Sequence, residues 1–451
     1  MLPTMAPLRT GRRLFAVANI ATVLSVSLWA ASAAAPAAVP NSSKQDAVSG
    51  ARYLAGLIGS KGYLTSSDGS PDDPNTANAI LAMHAAGFGG IAAHAAESYL
   101  QAHRDAFVTR NGQDDAGRLA TAILAAHAEG TNPRQYGGTD AHADLVGRLL
   151  ATQRTTGKDA GLFGSTDPSF DGAFRQGLAL LALSSVGQRN APALAWLQAQ
   201  QCAGGGWESY RADASVACGK TDPAAFSGPD TNSTALAVEA FVAAGVAPAH
   251  DPLPFLHGQQ SSGGGFASFG GPTIAADPDS TGLVLQALVA LGQNPAGASW
   301  TRPGGTPFTA LAGFQLSSGA AAGAYFFDTK SRKPSVLATV QAVPGAAGAP
   351  LPIGPGQLAP GGAVTGPTSA APSTSAASGG ATPTGAAPTA TTPAATTPAA
   401  LTPRGTAAPQ LPNTGSRDVL PLTVTGAGLL LAGAAAVAGS RRRTAGGSHR
   451  S

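Results

Sequence analysis

Small and apolar residues recur along residues 47–350 in runs of about three helical turns, and each run is opened by a polar turn. The runs "DPNTANAILAMHAAG" from Asp73, "DDAGRLATAILAAHAEG" from Asp114, "DGAFRQGLALLALSSVG" from Asp171, "DTNSTALAVEAFVAAG" from Asp230, "DPDSTGLVLQALVALG" from Asp277 and "KPSVLATVQAVPG" from Lys333 all stop at Gly. Five of the six open on Asp. A side-chain oxygen at the start satisfies free helix N–H groups and a closing Gly supplies the left-handed residue, so each run predicts a capped helix. The stretches between them, such as "ARYLAGLIG" from Ala51, "HADLVGRLLATQ" from His142 and "ALAWLQAQQ" from Ala193, carry apolar residues at helical spacing and predict a partner helix for each run. The sum is an all-α domain of six hairpins and twelve helices.

Outside this domain the pattern changes. Residues 1–33 place a basic "MLPTMAPLRTGRRLF" before an apolar stretch that ends in Ala31-Ser32-Ala33, the layout of a cleaved export signal, with an uncleaved membrane anchor as the alternative. Residues 351–410 are built of Pro, Thr, Ala, Gly and Ser with almost no charge. Such a composition buries too little apolar surface to offset its ordering entropy and predicts a disordered stalk, with Thr and Ser available to carry sugars. Residues 411–451 begin with "LPNTG" (Leu411, Pro412, Asn413, Thr414, Gly415). Asp418, an apolar stretch over 419–439 and the cluster Arg441, Arg442, Arg443 follow. An apolar run of that length is long enough to span a bilayer, and the arginines would stay on the cytoplasmic side. The whole arrangement resembles the cell-wall sorting signal of Gram-positive surface proteins. That resemblance implies a transpeptidase of the sortase class as partner. Its cysteine would attack the Thr414 carbonyl, release Gly415 onward and pass the acyl group to a peptidoglycan amine. A plain C-terminal membrane anchor is the simpler alternative.

Composition supports a chain that is only partly core: 59 of 451 residues are Gly, 35 are Pro, and 11% are charged. The formal net charge of +3 includes the arginines of both termini, and no basic patch interleaved with aromatics occurs in the body, so nucleic acid is not an expected partner. The two cysteines, Cys202 and Cys218, fall in one loop of a chain expected to be exported, which predicts a disulfide.

The phrase "QQCAGGGWESY" from Gln200 returns as "QQSSGGGFASF" from Gln259. Ala193, Trp196, Leu197, Gln201, Gly205 and Trp207 fit the spacing A-x-x-W-L-x-x-x-Q-x-x-x-G-x-W, and Phe255, Leu256, Gln260, Gly264 and Phe266 fit it with Phe for Trp. This resembles the QW repeat of squalene and terpenoid cyclases. The resemblance implies an α/α toroid, six inner helices within six outer ones, as in terpenoid cyclases, prenyltransferase β subunits and cobalamin carriers. An amide, a turn glycine and a covering ring can fasten a helix end without any catalytic part, so Gln201, Gly205, Trp207, Gln260, Gly264 and Phe266 are expected to be structural.

Chemistry, if the chain performs any, is expected at the Asp turns, which the toroid would place around a central cavity where helix N-termini favour anions. Asp73, Asp230, Asp277 and Asp279 are the cavity-facing candidates, with helix capping as their alternative role. "DPDST" (Asp277–Thr281) resembles the D-x-D-D-T proton-donor motif of squalene-hopene cyclases, but Ser280 stands where the second adjacent aspartate belongs. A catalytic zinc needs about three His, Cys or carboxylate ligands, and the eight histidines are scattered singly, so neither metal nor cofactor is expected. Three functions remain: a wall-anchored binding or interaction module for a small molecule, a glycan or a protein; a terpenoid-type cyclase; or a surface carbohydrate lyase or hydrolase, with Asp277 and Asp279 or Asp114 and Asp115 as its carboxylates. Export and the incomplete acid motif favour the first.

Overall fold

The computed structural model describes residues 38–164, 171–356 and 358–361. The signal segment, most of the stalk and the sorting motif at 411–415 lie outside the described residues. Among the described residues no helix is long and apolar enough to cross a membrane.

Six helices form the inner ring: α2 (Asp73–Ala86), α5 (Ala116–Glu129), α7 (Ala173–Ser185), α9 (Thr231–Ala244), α11 (Pro278–Ala290) and α13 (Val336–Ala347). Each packs on the next in chain order, and α13 packs back on α2, so the ring closes. The outer layer is α1 (Asn41–Ile58), α3 (Gly90–Ala102), α6 (Leu145–Ala151), α8 (Ala191–Ala199), α10 (Leu253–Gln259) and α12 (Pro307–Ala312). Each outer helix precedes or follows an inner one in the chain, and α1 joins the two chain ends by packing on both α2 and α13. The fold is an α/α toroid. One addition was not expected: the short α4 (Arg104–Val108) leads into a hairpin of β1 (Thr109–Arg110) and β2 (Gln113–Asp114).

The capping logic holds with small shifts. Asp230 and Asp277 accept the Ser233 and Ser280 amides at 2.7 Å, each closing the first turn of its inner helix. For α2 the cap is Asp72, one residue before the Asp that opens its run, and for α5 it is Asp115, the second Asp of its run. At α7 the capping residue is Gly172, and Ser335 caps α13. A glycine at positive φ follows every inner helix: Gly87, Gly130, Gly187, Gly245, Gly292 and Gly348. These positions turn the chain back toward the outer layer, and a Cβ would strain them.

The domain also exceeds its expected limits. Before residue 47, Ser43 donates to the Ala346 carbonyl at 2.8 Å, and Val39 lies against Gly348. After residue 350 the chain does not leave as a stalk. Ile353 is buried, and the Ala359 carbonyl accepts the amides of Gly89 and Gly90. Pro/Gly/Ala composition reads the same for a disordered tether and for a strap held by backbone hydrogen bonds, which is why the sequence placed this boundary about ten residues early.

Candidate functional site

The repeat phrase fastens neighbouring hairpins. Gln201 donates to the carbonyls of Gly205 at 3.0 Å and His250 at 2.7 Å and accepts the His250 amide at 3.0 Å. Gln260 donates to the carbonyls of Gly264 and Trp300, both at 2.8 Å. Gln315 donates to Gly323 and to the Asp46 carbonyl of α1, which ties the last hairpin to the first. Gly205 and Gly264 sit at φ +93° and +96°, and a side chain at either would run into the backbone of Asp251 or Gly305. No other residue fits there. Trp207 is fully buried and donates its Nε1–H to the Leu197 carbonyl at 2.8 Å.

A threonine four residues after the cap completes the joint. The amides of Leu64, Trp207, Phe266 and Tyr325 donate to Thr76, Thr234, Thr281 and Thr339, at 2.9–3.0 Å, and Phe163 donates to Gln176 in the same place. In the sequence the hydroxyls near each Asp are visible but their function is not. The spacing D-x-x-x-T in three units was the available signal.

These threonines also set the phase of the inner ring. They point outward, so residues on the opposite face of each helix, two, six and nine positions after the cap, point to the axis. The outermost layer is Pro74, Gly117, Phe174, Asn232, Asp279 and Leu337. The deepest is Leu81, Leu124, Leu181, Glu239, Gln286 and Pro344. On α2, α5, α7 and α13 the outer positions are partly exposed, whereas all six deep positions are buried. The axis therefore holds a blind cup whose mouth lies among the helix N-termini.

Of the four candidate aspartates only Asp279 has cup-facing phase. Asp230 and Asp277 are spent on capping their own helices. Asp73 is corrected: it lies to one side, toward α3, where its carboxylate takes the Tyr99 hydroxyl and helps hold that phenol up at about 12 behind the larger effect of burial. Asp279 is 0% exposed and neither carboxylate oxygen has a hydrogen-bond partner. Burial, reinforced by the neighbouring Asp277 charge, pushes its carboxyl well above the usual range. Deeper in the cup, Glu239 is also 0% exposed. Its Oε2 accepts the Leu351 amide at 2.6 Å, its Oε1 has no partner, and burial raises it to about 8. Glu239 was missed because one acid within an apolar run reads as a surface position until the ring closes around it.

The α5 and α7 side of the mouth is built differently. Arg175, itself buried, reaches Asp115 at 3.4 Å and Asp171 at 3.3 Å, and Arg154 meets Asp171 at 2.6 Å. None of the ion pairs among the described residues includes Asp230, Glu239, Asp277 or Asp279. One wall of the mouth thus carries ion-paired acids and the other buried acids without a cationic partner among the described residues.

Cys202 and Cys218 form the expected disulfide with their Cα atoms 5.7 Å apart. Closing a loop of this length contributes about 3 kcal/mol in the chain-entropy description. The one trio of possible metal-ligand atoms among the described residues is Cys202, Glu208 and Cys218, and the disulfide removes both thiolates from it.

The fold and site define an α/α toroid with a blind, acid-bearing axial cup. No family model and no curated protein matches the chain. Among solved structures it is similar to the apo form of the type II terpene cyclase MstE from Scytonema, at 14% identity and a TM-score of 0.44, over 68% of this chain and 98% of that one.

Proposed function

We propose that this chain is an exported, wall-anchored protein whose toroid is a binding module, and that the axial cup is its ligand site. The observation that carries the reading is Asp279: a wholly buried carboxyl at a cup-facing position, with both oxygens unpartnered. An unmade hydrogen bond of this kind costs about 1–3 kcal/mol, and a ligand bearing an oxygen or nitrogen acceptor recovers it. Such a ligand is small, mostly apolar and polar at the end that meets Asp279. Equilibrium binding of cobalamin, a polyprenol and wall-glycan fragments to the purified protein tests this. Saturable binding of one of them, weakened roughly tenfold or more in Asp279→Ala, is the expected result. Failure of all three to bind, or binding indifferent to the substitution, removes the cup as the site.

A second reading is favoured by the same carboxyl. A neutral, buried carboxylic acid is what Brønsted catalysis of an alkene requires, as the resemblance of "DPDST" to the cyclase motif suggests. Against it, Ser280 donates its amide and hydroxyl to Asp277 in place of a second acid, and Phe174 is the one aromatic at a cup-facing position, so little is present to stabilise a carbocation. Cyclisation of squalene by the purified protein, abolished in Asp279→Asn, would establish this reading over the first.

Wall anchoring rests on the sorting-signal resemblance and has its own test. Replacing Thr414 by Ala is expected to move the protein out of the covalently bound wall fraction, read by immunoblotting after muramidase release; retention in that fraction would leave the plain membrane anchor as the explanation.

A further inference from the structure

The cup is blind because the chain closes it. After α13, the described residues 349–356 and 358–361 run back across the C-terminal end of the inner ring. Leu351 donates to Glu239 of α9, Pro355 lies over Gly130 at the end of α5, and Leu358 reaches Gly90 at the start of α3. The far end is clasped by backbone alone: Ala359 donates to the Gly87 carbonyl at 3.0 Å, its carbonyl accepts Gly89 and Gly90 at 3.0 and 3.2 Å, and the Pro360 carbonyl accepts Ile91 at 3.3 Å. From α13 the path touches α9, then α5, then the turn between α2 and α3, and its bond to the axis-facing Glu239 brings Leu351 over the ring opening.

We propose that the described residues 349–356 and 358–361 form a detachable plug in a second mouth of the barrel, and that the barrel end is a docking groove for this extended segment. Its release admits solvent and ligand to the cup from the side of Glu239. The proposal deepens the reading of the cup as a ligand site and rests on it.

Several features mark the segment as separable from the ring. Gly354, Pro355, Ala359 and Pro360 are exposed, and Ile353 is its one buried apolar side chain among the described residues. Its attachment is about five backbone hydrogen bonds, one of them to a side chain. A strap with one buried anchor, Ile353, and Ala349, Leu351 and Leu358 only partly buried against the core opens at lower free energy than the ring it covers. By contrast α9 and α11 are buried on every face from Thr231 to Phe241 and from Pro278 to Leu288. The chain also continues from Gly361, so whatever pulls on the C-terminal segment pulls first on the clasp.

The test places a thiol on the cup floor. The native chain has no free cysteine among its described residues, so Leu124→Cys, at the same depth as Glu239 and buried, gives a reporter whose reaction with N-ethylmaleimide reads access to the floor. A Cβ built on Gly90 lies 3.1 Å from that of Leu358, close to the separation a disulfide spans, so Gly90→Cys with Leu358→Cys locks the plug. Adding the lock to the full chain is expected to slow labelling on the order of tenfold, and Leu351→Pro, which removes the amide donated to Glu239, to accelerate it by a similar factor. In the unaltered protein the Leu351 and Ala359 amides should exchange with solvent well before those of α9 and α11. Labelling insensitive to both changes, or exchange of these two amides only together with the α9 and α11 core, would show that the segment is a fixed part of the fold and end the proposal. Because labelling needs no ligand, its outcome is independent of whether cobalamin, polyprenol or glycan binds the cup.

Discussion

The toroid should be more stable at pH 5 than at pH 8. Glu239 carries a folded-state carboxyl raised by burial to about 8, against an ordinary value near 4.5, and Asp230 is raised by burial to about 6. Between pH 4.5 and 8 the native state therefore holds a proton on Glu239 that the unfolded chain has released, so stability falls as pH rises through that window. Each tenfold difference in proton affinity between the folded and unfolded states is worth about 1.4 kcal/mol, which makes Glu239 alone responsible for a loss on the order of 4 kcal/mol from pH 5 to pH 8. Glu239→Gln should remove most of that slope, because the amide copies the protonated acid and still accepts the Leu351 N–H. At acid pH the variant should differ little from the parent, and at pH 8 it should be the more stable. Urea midpoints measured across the range decide the matter; parallel curves for the two proteins would mean that Glu239 is not proton-bearing. The acid limit is set elsewhere. Asp105, held at about 2 mainly by the Arg104 hydrogen bond, contributes stability present above its unfolded value near 3.8 and lost as pH falls toward 2.

Trp207→Ala should be among the most damaging single changes in the ring, at about 3–5 kcal/mol for emptying a fully buried indole site. The indole packs 5.9 Å from the Phe241 ring, covers the turn of Gly205 and donates to Leu197. Trp207→Phe should cost much less, about 1–2 kcal/mol, since it loses the Leu197 hydrogen bond and part of the packing but keeps a ring. The protein already contains that outcome: Phe266 fills the equivalent place one hairpin later, its amide bonded to Thr281 as that of Trp207 is to Thr234. Denaturant midpoints of the three proteins test the ranking. Equal losses for Ala and Phe would mean that the indole N–H and not the ring holds the joint.

The two predictions concern different kinds of residue, and the sequence treated them differently. Trp207, Gln201 and Gly205 were legible because the same local joint is written more than once. Repetition at fixed spacing reveals a backbone need, and glutamine to carbonyl, glycine in a tight turn and ring over both recur wherever one hairpin meets the next. The disulfide was legible too, since both cysteines lie in one loop. The aspartates were only half legible. Their position before each helix announced a cap, but Asp73 differs from Asp72 by one residue, about 100° of helix, and that rotation carries the carboxyl from the capping position toward Tyr99.

Glu239 and the plug were not legible. A single acid among Ala, Val and Phe carries no mark of burial, and a Pro/Gly segment carries no mark of being held. By itself the sequence determined the twelve helices of the two layers, their pairing and the joints between them, and their caps to within a residue or two, because these depend on contacts between near neighbours in the chain. Only the tertiary structure decided that α13 returns to α2, that Asp279 and Glu239 then share one axis, and that the chain after α13 meets Glu239 at its end. Those facts follow from ring closure, which brings residues more than a hundred positions apart into contact, as Leu351 and Glu239 are, and leaves no periodic trace in the chain.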